Sequence, residues 1–168
     1  MHLILDLDQT LVDSRVAESH RNRREWGTLY SLIPQMKTYE GIAELIEYVQ
    51  GQGGKIAVVT SSPGTYCSRV VQYFRWAVDV QVGFHDTAQR KPHPAPILLA
   101  LQRMGNPRPE TVYSLGDMAR DVVASRAAGV RSIACTWGCG NHTELLSATA
   151  DAIAHSPGEV LRLLQAAG

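Results

Sequence analysis

The sequence predicts an α/β fold: a doubly wound, Rossmann-like, mainly parallel sheet with helices on both faces. Two observations lead there. Short, uniformly apolar runs alternate with amphipathic stretches along the chain, as strands buried on both faces and their crossover helices require. Carboxylate and hydroxyl side chains recur directly after those apolar runs, at the strand ends where such sheets bind ligands.

The elements follow in order. Leu3-Ile4-Leu5 is a first strand that runs into Asp6. A helix spans about Gly41 to Gln50, because Ile42, Leu45, Ile46 and Val49 share one face, and Gly51 to Gly54 ends it. Lys55 to Thr60 is a second strand, closed by the turn Ser62-Pro63-Gly64. Thr65 to Phe74 reads as a helix and Val78 to Val82 as a third strand, with Phe74 and Trp76 packing between them. Pro94-Ala95-Pro96 opens a helix reaching Met104, where proline's missing N–H costs little. Thr111 to Leu115 is the fourth strand, Met118 to Ala128 a helix stopped by Gly129, and Ser132 to Thr136 the fifth strand. A short Ala152-Ile153-Ala154 segment and a helix from Pro157 to Ala166 close the chain. Only Asp13 to Tyr39 lacks regular patterning.

The totals set bounds. One domain is the prior for 168 residues, a length that buries roughly 70% of the unfolded surface. No apolar run approaches the roughly 20 residues of a spanning helix, and Met1 to Asp6 lacks the pattern of a signal peptide. A cytoplasmic protein without membrane contact is expected. Acidic and basic residues balance at 16 each, so no global field draws the chain to nucleic acid or anionic lipid. Cys67, Cys135 and Cys139 are an odd number of thiols and argue against a disulfide framework. Cys135, Cys139 and His142 would make half a zinc site, and no second close pair completes it.

The chemistry gathers at strand ends. Asp6 and Asp8 lie two residues apart and share a face of an extended segment. Adjacent carboxylates repel unless a cation relieves them, and a hard divalent ion such as Mg2+ suits oxygen ligands. Asp117 and Asp121 repeat the pattern after the fourth strand. Taken singly, these acids would be turn or helix-cap residues; two strand ends with paired carboxylates imply a cation. Thr60 and Ser61 offer hydroxyls and backbone N–H groups to phosphate oxygens. Lys91, stiffened by Pro92-His93-Pro94, offers a positive charge to a phosphoryl group.

Taken together, these pieces resemble the haloacid dehalogenase superfamily, specifically its phosphatase branch. The resemblance rests on Asp6-Leu7-Asp8-Gln9-Thr10-Leu11-Val12-Asp13-Ser14, Val58-Val59-Thr60-Ser61-Ser62-Pro63, Lys91-Pro92-His93-Pro94, and Gly116-Asp117 with Asp121. Arg126-Ala127-Ala128-Gly129-Val130 and Thr136-Trp137-Gly138 look like phosphoglycolate-phosphatase-type members. It implies a Mg2+-dependent phosphomonoester hydrolase with Asp6 as nucleophile, forming an aspartyl-phosphate. It implies Asp8 as general acid and then base, and Mg2+ held by the Asp6 and Asp117 side chains and the Asp8 backbone carbonyl. Asp121 is implied as a further ligand or as an orienter of Lys91 or water, while Thr60, Ser61 and Lys91 would hold the phosphoryl oxygens. The acid at position 8 disfavours carbon–halogen chemistry, because dehalogenases of the superfamily typically lack it.

The chain departs from those relatives between the first two motifs. Only 51 residues separate Asp8 from Thr60, which leaves residues 14–39 as a loop or one short helical lid in place of a cap domain. An open site fits larger substrates, or a homo-oligomer that lends a cover. The substrate expected is a phosphorylated small molecule, a nucleotide or a nucleic-acid end. Arg15, Arg21, Arg23, Arg24, His20 and Trp26 in this segment could grip a second phosphate or stack on a base; Glu18 and Glu25 also fit a solvated face. Of His85, His93, His142 and His155, only His93 is expected near substrate. Rival readings are a phosphotransferase using the same Asp6, a non-catalytic phosphoryl- or Mg2+-binding module, and a receiver domain. The last is disfavoured because receivers phosphorylate an Asp closing their third strand.

Overall fold

The computed structural model describes residues 1–167. The chain runs β1 (His2–Leu5), β2 (Val12–Asp13), α1 (Glu18–Asn22), α2 (Trp26–Leu32), β3 (Lys37–Thr38), α3 (Ile42–Gly51), β4 (Ile56–Val59), α4 (Gly64–Phe74), β5 (Val80–Val82), α5 (Ala95–Arg103), β6 (Val112–Gly116), α6 (Ala119–Ala127), β7 (Arg131–Cys135), α7 (His142–Ser147), β8 (Ala152–Ala154) and α8 (Pro157–Ala167). Six strands form one parallel sheet in the order β5-β4-β1-β6-β7-β8, and β2 and β3 make a separate antiparallel ribbon.

The apolar runs explain the layers. Successive side chains of a strand point to opposite faces, so Leu3, Leu5, Ile56 and Val58 join one core with Leu45 of α3, Val70 of α4 and Val160 of α8. Ile4, Ala57 and Val59 join a second core with Ile97 of α5 and Ala124 of α6. Strands buried on both faces read as continuous apolar runs, which is why β1 and β4 were visible in the sequence. Among the described residues, no helix is long and apolar enough to cross a membrane. All three cysteines are free thiols, and Cys67 and Cys135 are buried.

β1 sits at the centre, pairing with β4 on one side and β6 on the other. The two βαβ halves diverge there, and ligands bind in the crevice beyond such a switch point. The Asp6 N–H donates to the Leu115 carbonyl at 2.9 Å. Residues just past β1 and just past β6 therefore lie side by side.

The structure departs from the sequence reading in the segment expected as a loop or one short helix. Two short helices and the β2–β3 ribbon stand there. Ala17, Leu29, Ile33 and Met36 seal them onto the core, and Arg69 of α4 covers the Tyr30 ring at 4.5 Å from its centroid. α1 buries no side chain, so hydrophobic periodicity had nothing to report. α7 was likewise missed, although Asn141-His142-Thr143-Glu144 carries a cap signal. The Asn141 side chain accepts from the Glu144 N–H at 3.1 Å.

A loop after β7 clamps the loop after β1. The Trp137 indole N–H donates to the Thr10 carbonyl at 3.0 Å, and the Trp137 ring meets Tyr39 edge-on. Gly138 is pressed so closely on this loop that a Cβ there would stand 1.8 Å from the Gln9 carbonyl oxygen. Gln9 itself is left-handed, with φ 66°. Gly138→Ala should push the Gln9–Thr10 turn outward and cost about 1–3 kcal/mol, read as a lower midpoint in thermal unfolding. A variant that melts with the wild type would mean that this contact does not constrain the loop.

Candidate active site

Three carboxylates meet past the switch point. One oxygen each from Asp6, Asp117 and Asp121 lies within 4.8 Å of the others. Asp6 follows β1, Asp117 follows β6, and Asp121 reaches back from the first turn of α6. Gly116 makes room for that reach, since a Cβ there would stand 2.3 Å from the Asp121 Cβ. Asp121 also accepts the Met118 N–H at 3.0 Å, which caps α6. The cap reading and the site reading thus hold for the same residue.

Lys91 enters from the loop before α5. Its Nζ lies 2.7 Å from Asp6 Oδ1, 2.6 Å from Asp121 Oδ1 and 3.0 Å from the Val59 carbonyl. Asp121 Oδ1 is buried and accepts no hydrogen bond of good geometry from any described residue, despite its closeness to Lys91. Asp117 Oδ1 accepts the Thr10 hydroxyl at 3.0 Å. Three carboxylates against one ammonium leave two negative charges in excess when all are ionised, in a place almost closed to water. A hard divalent cation fits that balance.

The electrostatics carry the same strain. Burial raises the Asp6 carboxyl to about 6; Lys91 opposes the rise, and Asp121 and Asp8 add to it. Burial, then Asp6 and Asp121, raise Asp117 to about 8. Burial acts to lower the Lys91 ammonium value, but Asp121 and Asp6 outweigh it and hold the lysine charged.

The Asp8 side chain is not in this cluster. It turns toward the helical segment and collects donors: the hydroxyls of Ser14 at 2.6 Å, Ser62 at 2.9 Å and Tyr66 at 2.8 Å. Arg21 of α1 pairs with it at 2.6 Å and also donates to Ser14 at 2.8 Å. Thr60 is 5% exposed, and its Oγ1 accepts the Ser62 N–H at 3.0 Å. Thr60 and Ser61 line a cleft of about 680 Å³ that also holds Asp6, Asp8 and Asp117.

Other expected residues fall in and out of that cleft. Arg15, Arg21 and Arg24 line it, whereas Arg23 pairs with Glu25 outside. Arg15 is already engaged with Asp13, and His20 with Glu25. His93 does not reach the cleft; it is exposed and accepts the Ala95 N–H. His85 lines the cleft instead, carried there by the turn after β5. Ser14, Ser62, Tyr66 and Thr10 are polar partners that sequence reasoning did not single out. Ser14, Ser62 and Thr10 sat inside quoted motifs, while Tyr66 carried no signal.

The profile of the haloacid dehalogenase-like hydrolases matches residues 18–135. This chain belongs to that family. The match begins after Asp6 and Asp8, so it covers the Thr60, Lys91 and Asp117–Asp121 positions but not the first motif. A phosphoglycolate phosphatase of Xanthomonas campestris pv. campestris is 33% identical over 106 residues, which is 62% of this chain and 48% of that protein. The chain spans about half the length of the curated relatives it matches. Two crystal structures share the fold. One is described as a predicted phosphoglycolate phosphatase from Haemophilus somnus (TM-score 0.85, 20% identity, 97% of each chain). The other is a superfamily hydrolase from Geobacter sulfurreducens (TM-score 0.75, 21% identity, 96% of this chain and 98% of that one). In this haloacid dehalogenase-like chain the three carboxylates lie beyond the switch point of its own sheet.

The raised carboxyl values predict a pH dependence. A carboxyl whose folded value exceeds its ordinary 3.8 contributes most to stability below that ordinary value. The contribution is lost as pH rises through about 6 for Asp6 and about 8 for Asp117. With chelator present, the unfolding midpoint should fall as pH rises from about 5 to about 8, and magnesium chloride should raise it more at the higher pH. Melting curves at pH 8 that ignore the added ion would count against a cation in this cluster.

Proposed function

We propose that this protein is a Mg2+-dependent phosphomonoester hydrolase that works through an aspartyl-phosphate on Asp6. The observation that carries the reading is the convergence of Asp6, Asp117, Asp121 and Lys91 at the sheet's switch point. An acidic cluster alone would repel a phosphate dianion. A cluster with a buried ammonium on the candidate nucleophile, and room for a divalent ion, can accept one.

Asp6 and Asp117 would hold the ion through their side chains, with Asp121 beside them. The Asp8 side chain is engaged elsewhere, so Asp8 would contribute its backbone carbonyl. When bound, the ion would draw negative charge from the phosphoryl oxygens and ease approach of the carboxylate.

The remaining work belongs to the chain. An Asp6 carboxylate oxygen attacks phosphorus, and the bond to the ester oxygen breaks as the new bond forms. Lys91 and the Thr60 hydroxyl hold the equatorial oxygens, where charge builds. Asp8 gives a proton to the departing oxygen. In the second half, Asp8 takes a proton from water, the water oxygen attacks phosphorus, and the bond to Asp6 breaks to release phosphate. To reach the ester oxygen, Asp8 must exchange one of its present donors, the hydroxyls of Ser14, Ser62 and Tyr66 or the Arg21 guanidinium. Relatives named for phosphoglycolate make that ester one member of any substrate panel.

Asp6→Asn removes the nucleophile and one negative charge from a crowded cluster. Phosphate release should fall by at least about a thousandfold, while the chelated variant melts no lower than the wild type, because like-charge strain has been relieved. Turnover within tenfold of wild type at the same site would reject Asp6 as nucleophile.

A further inference from the structure

The active cleft does not end at the reacting groups. A second hollow of about 490 Å³ adjoins it, and Trp26, Pro63 and His85 line both. We propose that this shared wall seats a planar, heteroaromatic leaving group, making a nucleoside monophosphate the preferred class of ester. This rests on the hydrolase reading above and adds to it the chemistry of the substrate's non-reacting end.

Position supports the assignment. The departing oxygen must meet Asp8, and Asp8 accepts the Tyr66 hydroxyl at 2.8 Å. The Tyr66 ring lies 6.2 Å from the Trp26 ring, centroid to centroid. Asp8 and Trp26 also line the same cleft, so a leaving group that starts at Asp8 extends toward the Trp26, Pro63 and His85 surfaces.

The wall is also held in advance of any ligand, which lowers the ordering cost of binding. Trp26 is half-buried and packs against the main core. His85 is exposed but stands edge-on to Phe84 at 5.0 Å, and the Arg90 guanidinium covers the Phe84 ring at 4.2 Å. On the floor, the Tyr30 hydroxyl and the Thr65 hydroxyl are 3.1 Å apart. Flat, pre-set apolar surfaces beside a few polar groups suit a base, which every nucleotide presents as a π-face.

The test is phosphate release with magnesium from adenosine 5′-monophosphate and uridine 5′-monophosphate, against glycerol 3-phosphate and 2-phosphoglycolate. The nucleotides should exceed the aliphatic esters in kcat/KM by about tenfold or more, the scale of one base stacked on an aromatic side chain. His85→Ala, at an exposed position where folding is not at stake, and Trp26→Leu should each lower the nucleotide-to-glycerol-phosphate ratio several-fold, through KM. Equal rates, or a preference for either aliphatic ester, would overturn the aromatic subsite and leave the hydrolase intact. A nucleotide preference that neither substitution reduces would overturn the wall assigned here. Release from none of the four esters would overturn the hydrolase reading together with the subsite.

Discussion

The constraint on which the rest depends is the crowding of Asp6, Asp117 and Asp121, with one buried ammonium between Asp6 and Asp121. Without Lys91 and a divalent ion, three carboxylates at this distance in a dry crevice would not remain ionised together. Much of the neighbouring structure serves to hold them there. The central strand delivers Asp6, and the adjacent strand delivers Asp117. A glycine before Asp117 lets Asp121 fold back, where its Oδ2 caps the helix that carries it and its Oδ1 faces Lys91. Stability and site thus share one side chain, so substitutions of Asp121 should rarely affect one without the other.

How much of this could be read in the sequence depended on the kind of force involved. β1 and β4 were legible because burial on both faces leaves no polar position in the run. Asp6, Thr60 and Asp117 directly follow β1, β4 and β6, where such sheets place ligand groups, so their positions could be read from the apolar runs before them. Lys91 lies in the loop before α5, and only the fold brings it to Asp6. α1 was not, because it buries no side chain and is held by Arg21 reaching Ser14 and Asp8. Polar tethers have no period. His85 and His93 show the same limit: both were visible as titratable residues, but only the turn after β5 decides which one faces the cleft.

The two acids of the first motif end up with different surroundings although they are two residues apart. Asp6 sits among carboxylates and a lysine, where burial raises its value. Asp8 sits among three hydroxyls and a guanidinium. The turn that follows β1 separates them: Leu11 N–H donates back to the Leu7 carbonyl, and left-handed Gln9 redirects the chain. Division of roles between a nucleophile and a proton carrier requires such separation, since two acids in one environment would compete for one proton. The sequence motif supplies the two carboxyl groups, and the turn gives them different surroundings.

That turn is in its place because of contacts far away in the chain. Trp137 holds the Thr10 carbonyl and Gly138 abuts Gln9, while Tyr39 donates to the Gln9 side chain at 2.9 Å. Residues 14–39 pack onto the same region through Met36 and Leu29. This short helical segment lines one edge of the cleft. It brings Arg21 to Asp8 and Trp26 to the cleft wall, and it does so with few buried apolar side chains of its own. Under the proposed reading, the chemistry at the sheet end follows from the spacing of the carboxylates, whereas the identity of what enters would rest on these few residues, which is why a reaction class is easier to read from sequence than a substrate.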